Sequence, residues 1–359
     1  MKVLESNIIY ENPLPQLRSR QAAFPFLFQR KDGIIGAVYC IGEAFESVDN
    51  VSYISFSHDG GKTWTAPENL FGNTVNGVPF SDCCKAIALK DGRIVGLGYA
   101  FDRSNPENGG LLDDFVYFAI SEDGGKTWSE RTPIACAWGP HVEASAPLLE
   151  LQDGTWITPI TGFPDWEGKS HGKNCGRALR SEDGGKTWND DAICMDFDAP
   201  ITCYEQRMCQ LASGAIINIG WNENTVTGER LHNHYTVSYD NGKTWTAPVS
   251  TGIMGQASSV CALGGEKFLA LHAVRRDTDA PGVYGYVVDF SEKTWKIVDS
   301  ALLWAPNTPM LKDTKMAEIF SFLKFGQPGA IVLEDGDVMM CHWFAEQGQY
   351  KTVATRIQL

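Results

Sequence analysis

An eight-residue phrase returns four times along the chain and constrains the fold more than any other feature of the sequence. It has the form Ser-x-Asp-x-Gly-Lys-Thr-Trp and occupies residues 57–64, 121–128, 181–188 and 238–245. A damaged fifth copy at 291–295 lacks the Asp-Gly turn. The intact copies start 64, 60 and 57 residues apart. We therefore interpret the chain as an array of similar units.

The phrase has the composition of a tight turn that follows a strand. Copies come after apolar or β-rich runs such as 51–56 and 115–120. The Asp carboxylate can accept backbone N–H groups in an Asx-turn, and Gly adopts positive φ without a Cβ clash. The Trp is a large apolar body suited to burial between neighbouring units. We interpret the phrase as a folding element without a chemical role.

A second periodic feature fixes the number of units. Six pairs of β-rich runs are joined by turns that contain glycine, which is the signature of a β-hairpin. The turns are Asp32-Gly33, Asp91-Gly92, Asp153-Gly154, Ser213-Gly214, Gly264-Gly265 and Asp335-Gly336. Each hairpin is followed by a third strand and then a fourth. Six such units predict an all-β fold, a six-bladed β-propeller of four-stranded antiparallel blades.

The sixth unit is one strand short. After its hairpin only residues 350–359 remain, enough for a third strand, whereas the run 3–10 precedes the first hairpin and is unassigned. We expect this N-terminal strand to join the last blade and close the ring, which removes an exposed sheet edge. The sequence shows no linker, so we expect one domain over 1–359.

Composition excludes several classes of partner. The 44 acidic and 30 basic residues give a net charge of −14, which argues against nucleic acid and anionic membranes. No apolar run is long enough to span a bilayer, and the N-terminus has no secretory h-region. The ten cysteines have no zinc-type spacing and fit buried, reduced thiols. We predict a cytoplasmic protein without a metal or other cofactor.

The opposite ends of the blades are expected to differ in chemistry. In an up-and-down blade the hairpin turns and the Asp phrases share one face, while longer loops share the other, near the central channel. Functional residues concentrate on such loops. Glu143, Glu205, Arg207 and Gln256 all lie an odd number of positions before their hairpin glycine. Without a bulge they would point to one side of their blades.

These loops carry the side chains of a small carbohydrate site, because carboxylates, guanidiniums and aromatic rings at a channel mouth suit a sugar or sugar acid. The candidate catalytic residues are Glu205, Asp49 and Glu143. The candidate substrate-binding residues are Arg18, Arg20, Asp82, His141, Trp166, Tyr204, Arg207, Gln256, Arg275 and Arg276. His232-Asn233-His234 lacks a complete metal-ligand set.

The whole chain resembles the sialidase superfamily, whose propellers carry Asp-box repeats of this kind. The resemblance implies an acid/base Asp in the first blade's loop, where Asp49 matches best and Glu43 and Glu46 are rivals. It also implies that Glu205 corresponds to the Glu that polarises the family's tyrosine nucleophile. A third substrate-binding Arg would correspond to Arg275 or Arg276.

Other positions depart from the family's pattern. Ala23-Phe24-Pro25 stands where the family has Arg-Ile-Pro, Gly220 stands at a second Arg, and Gln327 stands at the nucleophilic Tyr. Clustered Arg forks bind the sialic-acid carboxylate. Their loss argues for a changed substrate.

Three functions follow from these observations. The first is an exo-acting glycoside hydrolase with an altered, possibly anionic sugar substrate, in which Glu205 is the base or nucleophile and Asp49 or Glu143 the acid. The second is a non-catalytic propeller that binds carbohydrate or protein. The third is a true exo-sialidase or a uronate lyase, the latter with His141 or His234 as base.

Overall fold

The protein is a six-bladed β-propeller, as the repeats predict. The computed structural model describes residues 1–45, 47–75, 77–105, 114–139, 141–162, 174–276, 278–307 and 324–359. Within these ranges the regular structure is entirely β, and strands pair antiparallel into six sheets. The described residues contain no helix long and apolar enough to cross a bilayer.

In most blades, strands that follow one another along the chain are neighbours in the sheet. Blade 6 contains β1 (Lys2–Tyr10), and blade 1 contains β2 (Gln21–Gln29), β3 (Ile35–Gly42), β4 (Val51–Ser57) and β5 (Glu68–Asn69). Blade 2 contains β6 (Thr74–Val75), β7 (Val78–Ala88), β8 (Ile94–Asp102), β9 (Asp114–Ser121) and β10 (Thr132–Pro133). Blade 3 contains β11 (Val142–Glu143), β12 (Leu149–Glu150), β13 (Trp156–Gly162), β14 (Gly176–Ser181) and β15 (Asn189–Met195).

The remaining blades follow the same plan. Blade 4 contains β16 (Tyr204–Gln210), β17 (Ile216–Trp221), β18 (His234–Ser238) and β19 (Val249–Ser250). Blade 5 contains β20 (Ser258–Gly264), β21 (Lys267–Val274), β22 (Gly282–Asp289) and β23 (Lys296–Trp304). Blade 6 is completed by β24 (Phe325–Val332), β25 (Val338–Glu346) and β26 (Gln349–Gln358).

The N-terminal strand closes the ring, which confirms the prediction from the incomplete sixth unit. Strand β1 pairs antiparallel with β26, with Lys2 opposite Gln358 and Ile8 opposite Val353. The sheet order is β1-β26-β25-β24, so the first strand of the chain is the outermost strand of the last blade. The two ends of the chain are thus held together by backbone hydrogen bonds.

Each Asp box is a hydrogen-bonded turn that packs on the preceding blade. In the second box, Asp123 Oδ1 accepts the backbone N–H groups of Lys126 (3.1 Å) and Thr127 (2.9 Å), and its Oδ2 accepts the Thr127 hydroxyl at 2.6 Å. These bonds hold the pKa of the Asp123 carboxyl well below its usual range. The Trp128 indole packs into a core cluster with Phe28 and Ile54 of blade 1. The folding role expected for the phrase is therefore visible in its contacts.

We expect Asp123→Ala to lower the free energy of unfolding by about 1–2 kcal/mol, because two backbone N–H groups and a hydroxyl lose their acceptor. Urea unfolding measures this change. The matched control is Glu122→Ala, which removes the neighbouring exposed acid and should leave stability unchanged. Equal losses in both variants would mean that the box carboxylate has no special part in the turn.

Three innermost strands share a backbone irregularity at their starts. In β2, β16 and β24, three residues on the inner strand span two on its partner, which is a β-bulge. A non-glycine residue with positive φ lies in each bulge: Phe24 (58°), Glu205 (44°) and Gln327 (46°). Left-handed backbone at such residues is uncommon and marks positions where a side chain is re-aimed.

Candidate active site

In every blade one residue near the start of the inner strand lies nine positions before the hairpin glycine. The residues at this position are Phe24, Cys83, Ser145, Glu205, Gln256 and Gln327. Contacts between blades support a common site: Phe24 and Cys83 share a core cluster, and Gln327 of blade 6 hydrogen-bonds to Glu205 of blade 4. We call these six residues the inner ring. They lie at the blade ends opposite the Asp boxes.

Glu205 is the one carboxylate among the six residues of the inner ring. Its Oε1 accepts a hydrogen bond from Gln327 Nε2, and its Oε2 accepts one from Trp221 Nε1 at 2.7 Å. Both partners are N–H donors, which suit the carboxylate form. The residue as a whole is half-buried. Tyr204 packs against Trp221 at 4.7 Å between ring centroids and supports the indole.

Glu143 is the second carboxylate of the site and has a different environment. Burial, together with the nearby negative charge of Glu205, raises the pKa of its carboxyl to about 7. Ser145 and Arg207 oppose the shift. At neutral pH a substantial fraction of Glu143 is therefore protonated beside a second carboxylate. A carboxyl that keeps its proton near neutral pH can serve as a general acid.

Two arginines flank the carboxylates. Arg207 is 4% exposed, and its Nη1 donates to Gln206 O at 2.8 Å and to Ser145 Oγ at 3.3 Å. Arg275 is half-buried and donates from Nη1 to Phe325 O at 3.1 Å. Burial lowers the pKa of Arg275 to about 10, opposed by the charge of Glu205. A Cβ on Gly326 would lie 2.9 Å from Arg275 Nη1, so this glycine leaves room for the guanidinium.

The structure brings together Glu143, Glu205, Arg207, Tyr204 and Arg275, all predicted from the sequence. The reasoning from odd spacing assumed strands without bulges, and that assumption is wrong for blade 4, because β16 has a bulge between Tyr204 and Arg207. Arg276 is half-buried beside Arg275, and its positive charge lowers the pKa of that neighbour.

Asp49 lies apart from this group. It lines a separate small cleft with Arg18, Arg20, Glu43 and Tyr53. Its Oδ1 accepts the backbone N–H of Glu43 at 3.0 Å and the Ser47 hydroxyl at 2.5 Å, so it holds its own loop together. Arg20 Nη2 donates to Tyr53 Oη at 3.0 Å. Of the two acids proposed from the sequence, Glu143 therefore has the better geometry.

Asp82 is committed to a buried network. It is 2% exposed and accepts from Ser52 N (2.7 Å) and Tyr117 Oη (2.8 Å), with Arg131 Nη1 at 3.5 Å. Burial raises the pKa of Asp82, and the Arg131 charge opposes the shift. This carboxylate joins blades 1 and 2 and has little surface left for a ligand.

The other predicted substrate-binding residues have mixed outcomes. His141 Nδ1 lies 3.9 Å from Asp114 Oδ1, next to blade 3. Gln256 belongs to the inner ring and is 3% exposed; no described residue donates to its amide oxygen. Trp166 lies outside the described residues.

Sequence reasoning missed Cys83, Ser145 and Gln327 as members of the site. The resemblance singles out Gln327 only as the replacement of a tyrosine, and the cysteine pattern indicates only buried thiols. Counting nine residues back from each hairpin glycine would have found all three, since the count is the same in six blades. Among the described residues there is no group of three or more His, Cys, Asp or Glu side chains that could hold a metal ion.

The fold and the repeated turns define a class, the Asp-box propellers, and sequence comparison identifies the family. Residues 99–280 match the BNR repeat-like domain, and residues 55–66 match the BNR/Asp-box repeat. The chain belongs to the BNR repeat-like domain family and is a sialidase-superfamily propeller. A search of curated protein sequences gave no match.

Solved structures share the fold at low sequence identity. A Dyadobacter fermentans protein of unknown function is 19% identical with a TM-score of 0.76, covering 100% of this chain and 99% of its own. The Hadza microbial sialidase Hz136 is 16% identical with a TM-score of 0.67, covering 93% of this chain and 65% of its own. Trypanosoma rangeli sialidase, in a covalent complex with 2,3-difluorosialic acid, is 14% identical with a TM-score of 0.65, covering 99% of this chain and 57% of its own. This chain thus spans about two thirds or less of these sialidases.

Proposed function

We propose that the protein is an exo-acting glycoside hydrolase whose sugar substrate differs from that of the sialidases. The observation that carries this proposal is the pair Glu143 and Glu205, two neighbouring carboxyls of which one has a pKa of about 7 and the other accepts two N–H donors. Glu143 protonates the leaving-group oxygen, and Glu205 acts as base or nucleophile on the opposite side.

Unpaired polar atoms around the inner ring support a polyhydroxylated ligand. Gln327 Oε1, Gln256 Oε1 and Arg275 Nε are buried and have no hydrogen-bond partner among the described residues. Buried polar atoms are nearly always hydrogen-bonded in native proteins, so we expect these three atoms to bind a ligand or ordered water. Sugar hydroxyls both donate and accept, and so fit this mixed set. Arg207 and Arg275 add positive charge that favours an anionic sugar.

Gln327 argues for a changed substrate or reaction. It hydrogen-bonds to Glu205 at the place where the resemblance puts a nucleophilic tyrosine, and an amide cannot attack an anomeric carbon. The same observation favours the second candidate, a propeller that binds carbohydrate without turnover.

A panel of chromogenic glycosides that includes sialosides, uronides and deoxy-sugars separates the candidates. We expect release of chromophore from at least one member that is not a sialoside. Saturable sugar binding without hydrolysis of any member would contradict the hydrolase proposal and support the second candidate, a propeller that binds carbohydrate without turnover. An unsaturated uronate product, seen by its ultraviolet absorbance, would indicate a lyase instead.

A further inference from the structure

Cys83 is a thiol of the inner ring that has no role in the proposed function. It occupies the inner-ring position of blade 2 and is 7% exposed. It lines a small cleft with Phe24, Asn50 and Tyr99. Its sulfur also lies within the electrostatic reach of Glu143 and Arg207, so it borders the candidate active site.

A buried lysine contacts this thiol. Lys85 Nζ lies 3.8 Å from Cys83 Sγ, and Lys85 is only 3% exposed. The two residues are two positions apart on β7 and so point to the same side of the sheet. A cation in contact with a thiol favours the thiolate, which is the nucleophilic form.

A second thiol faces the first across the boundary between blades 1 and 2. Cys40, on β3, is fully buried and shares a core cluster with Cys83, Phe24 and Trp343. Its Sγ lies 3.5 Å from the backbone oxygen of Asp82, the residue before Cys83. Hydrogen bonding to Cys83, with burial, raises the pKa of the Cys40 thiol well above its usual range. Cys40 therefore keeps its proton while Cys83 acts as the acceptor.

We propose that Cys83 is a hydroperoxide-reactive thiol at the rim of the candidate active site, with Cys40 as its resolving partner. The Cys83 thiolate sulfur attacks the peroxide; the S–O bond forms, the O–O bond breaks, and the leaving oxygen takes a proton and departs as water or an alcohol. Cys40 sulfur then attacks the sulfenic sulfur. The S–S bond forms, the S–O bond breaks, and the released hydroxide takes the Cys40 proton to leave as water. The two thiols lose two electrons, which reduce the hydroperoxide.

To test this, the full chain is treated with limiting hydrogen peroxide, and the remaining thiols are blocked with iodoacetamide in denaturant. Peptide mass spectrometry then identifies which cysteines are blocked and which are oxidised. We expect a linked Cys40–Cys83 peptide to form first. Cys136 and Cys261, both more exposed, should remain reduced, because burial raises their pKa values to about 12. These two thiols are the internal controls for exposure.

Variants separate the roles of the three residues. Cys40→Ser should leave Cys83 as a sulfenic acid that dimedone traps, and Cys83→Ser should leave Cys40 reduced. Lys85→Met should slow oxidation of Cys83 on the order of tenfold, and Lys85→Arg should restore it. Oxidation of Cys136 or Cys261 before Cys83, or a Cys83 disulfide with another partner, would overturn the proposal. An unchanged rate of Cys83 oxidation in Lys85→Met would contradict the part of the proposal in which the lysine activates the thiol.

Discussion

Replacing Glu205 with Gln should abolish turnover of the substrate that the glycoside panel identifies, with a loss in kcat of about 10²–10⁴-fold, the range for removal of a general acid or base. The physical reason is local. The isosteric amide keeps the volume of the side chain but offers no negative charge to water or to the anomeric carbon. It also places an N–H group against one of the N–H donors, Trp221 or Gln327, that now bind the carboxylate.

The matched control is Glu43→Gln, the same chemical change on the same rim, in the cleft that holds Asp49. It should retain wild-type kcat. Circular dichroism and the unfolding midpoint of both variants establish that the propeller is intact. Undiminished turnover in Glu205→Gln would remove Glu205 from the mechanism, and a loss in Glu43→Gln of equal size would move the reaction to the Asp49 cleft.

Replacing Glu143 with Gln should abolish the general acid and at the same time stabilise the protein at alkaline pH. The folded-state pKa of about 7 lies above the ordinary value of 4.5, so the folded protein retains a proton that the unfolded chain has lost. Raising the pH from 4.5 to 7 therefore weakens the fold, and above 7 the full cost remains. At one pKa unit per 1.36 kcal/mol, that cost is about 2–3 kcal/mol for this half-buried carboxyl.

Urea unfolding of the wild type and Glu143→Gln at a series of pH values measures this effect without a substrate. The difference in free energy of unfolding should be near zero at pH 4.5 and should rise in favour of the variant up to pH 8. Activity of the wild type should fall as Glu143 ionises above about pH 7. A stability difference that does not depend on pH would show that Glu143 titrates normally and is no acid catalyst.

The repeats predict the propeller well because their physics is local. A turn that needs Asp and Gly, followed by a Trp that needs burial, is determined within eight residues, and six hairpin turns fix the number of blades. Even the closing strand follows from counting, since blade 6 lacks one strand and residues 3–10 supply it.

The site is less predictable because it depends on contacts between distant blades. Gln327 and Glu205 are 122 residues apart and meet only when blades 4 and 6 are in place. Their positive φ could not be predicted from the sequence, because glycine is the usual indicator of such a conformation and neither residue is glycine. Asp49 and Glu205 likewise belong to blades 1 and 4, and a strand pattern does not show which side chains of different blades converge.

The shared bulge has a consequence for how such proteins diversify. Phe24, Glu205 and Gln327 occupy the same bulge position with positive φ, although one is aromatic, one is acidic and one is an amide. The bulge conformation is thus compatible with chemically different side chains. A new specificity can therefore arise by substitution of one bulge residue without a change in the sheets. Grafting a tyrosine at 327 is the smallest step by which this scaffold could acquire a different nucleophile.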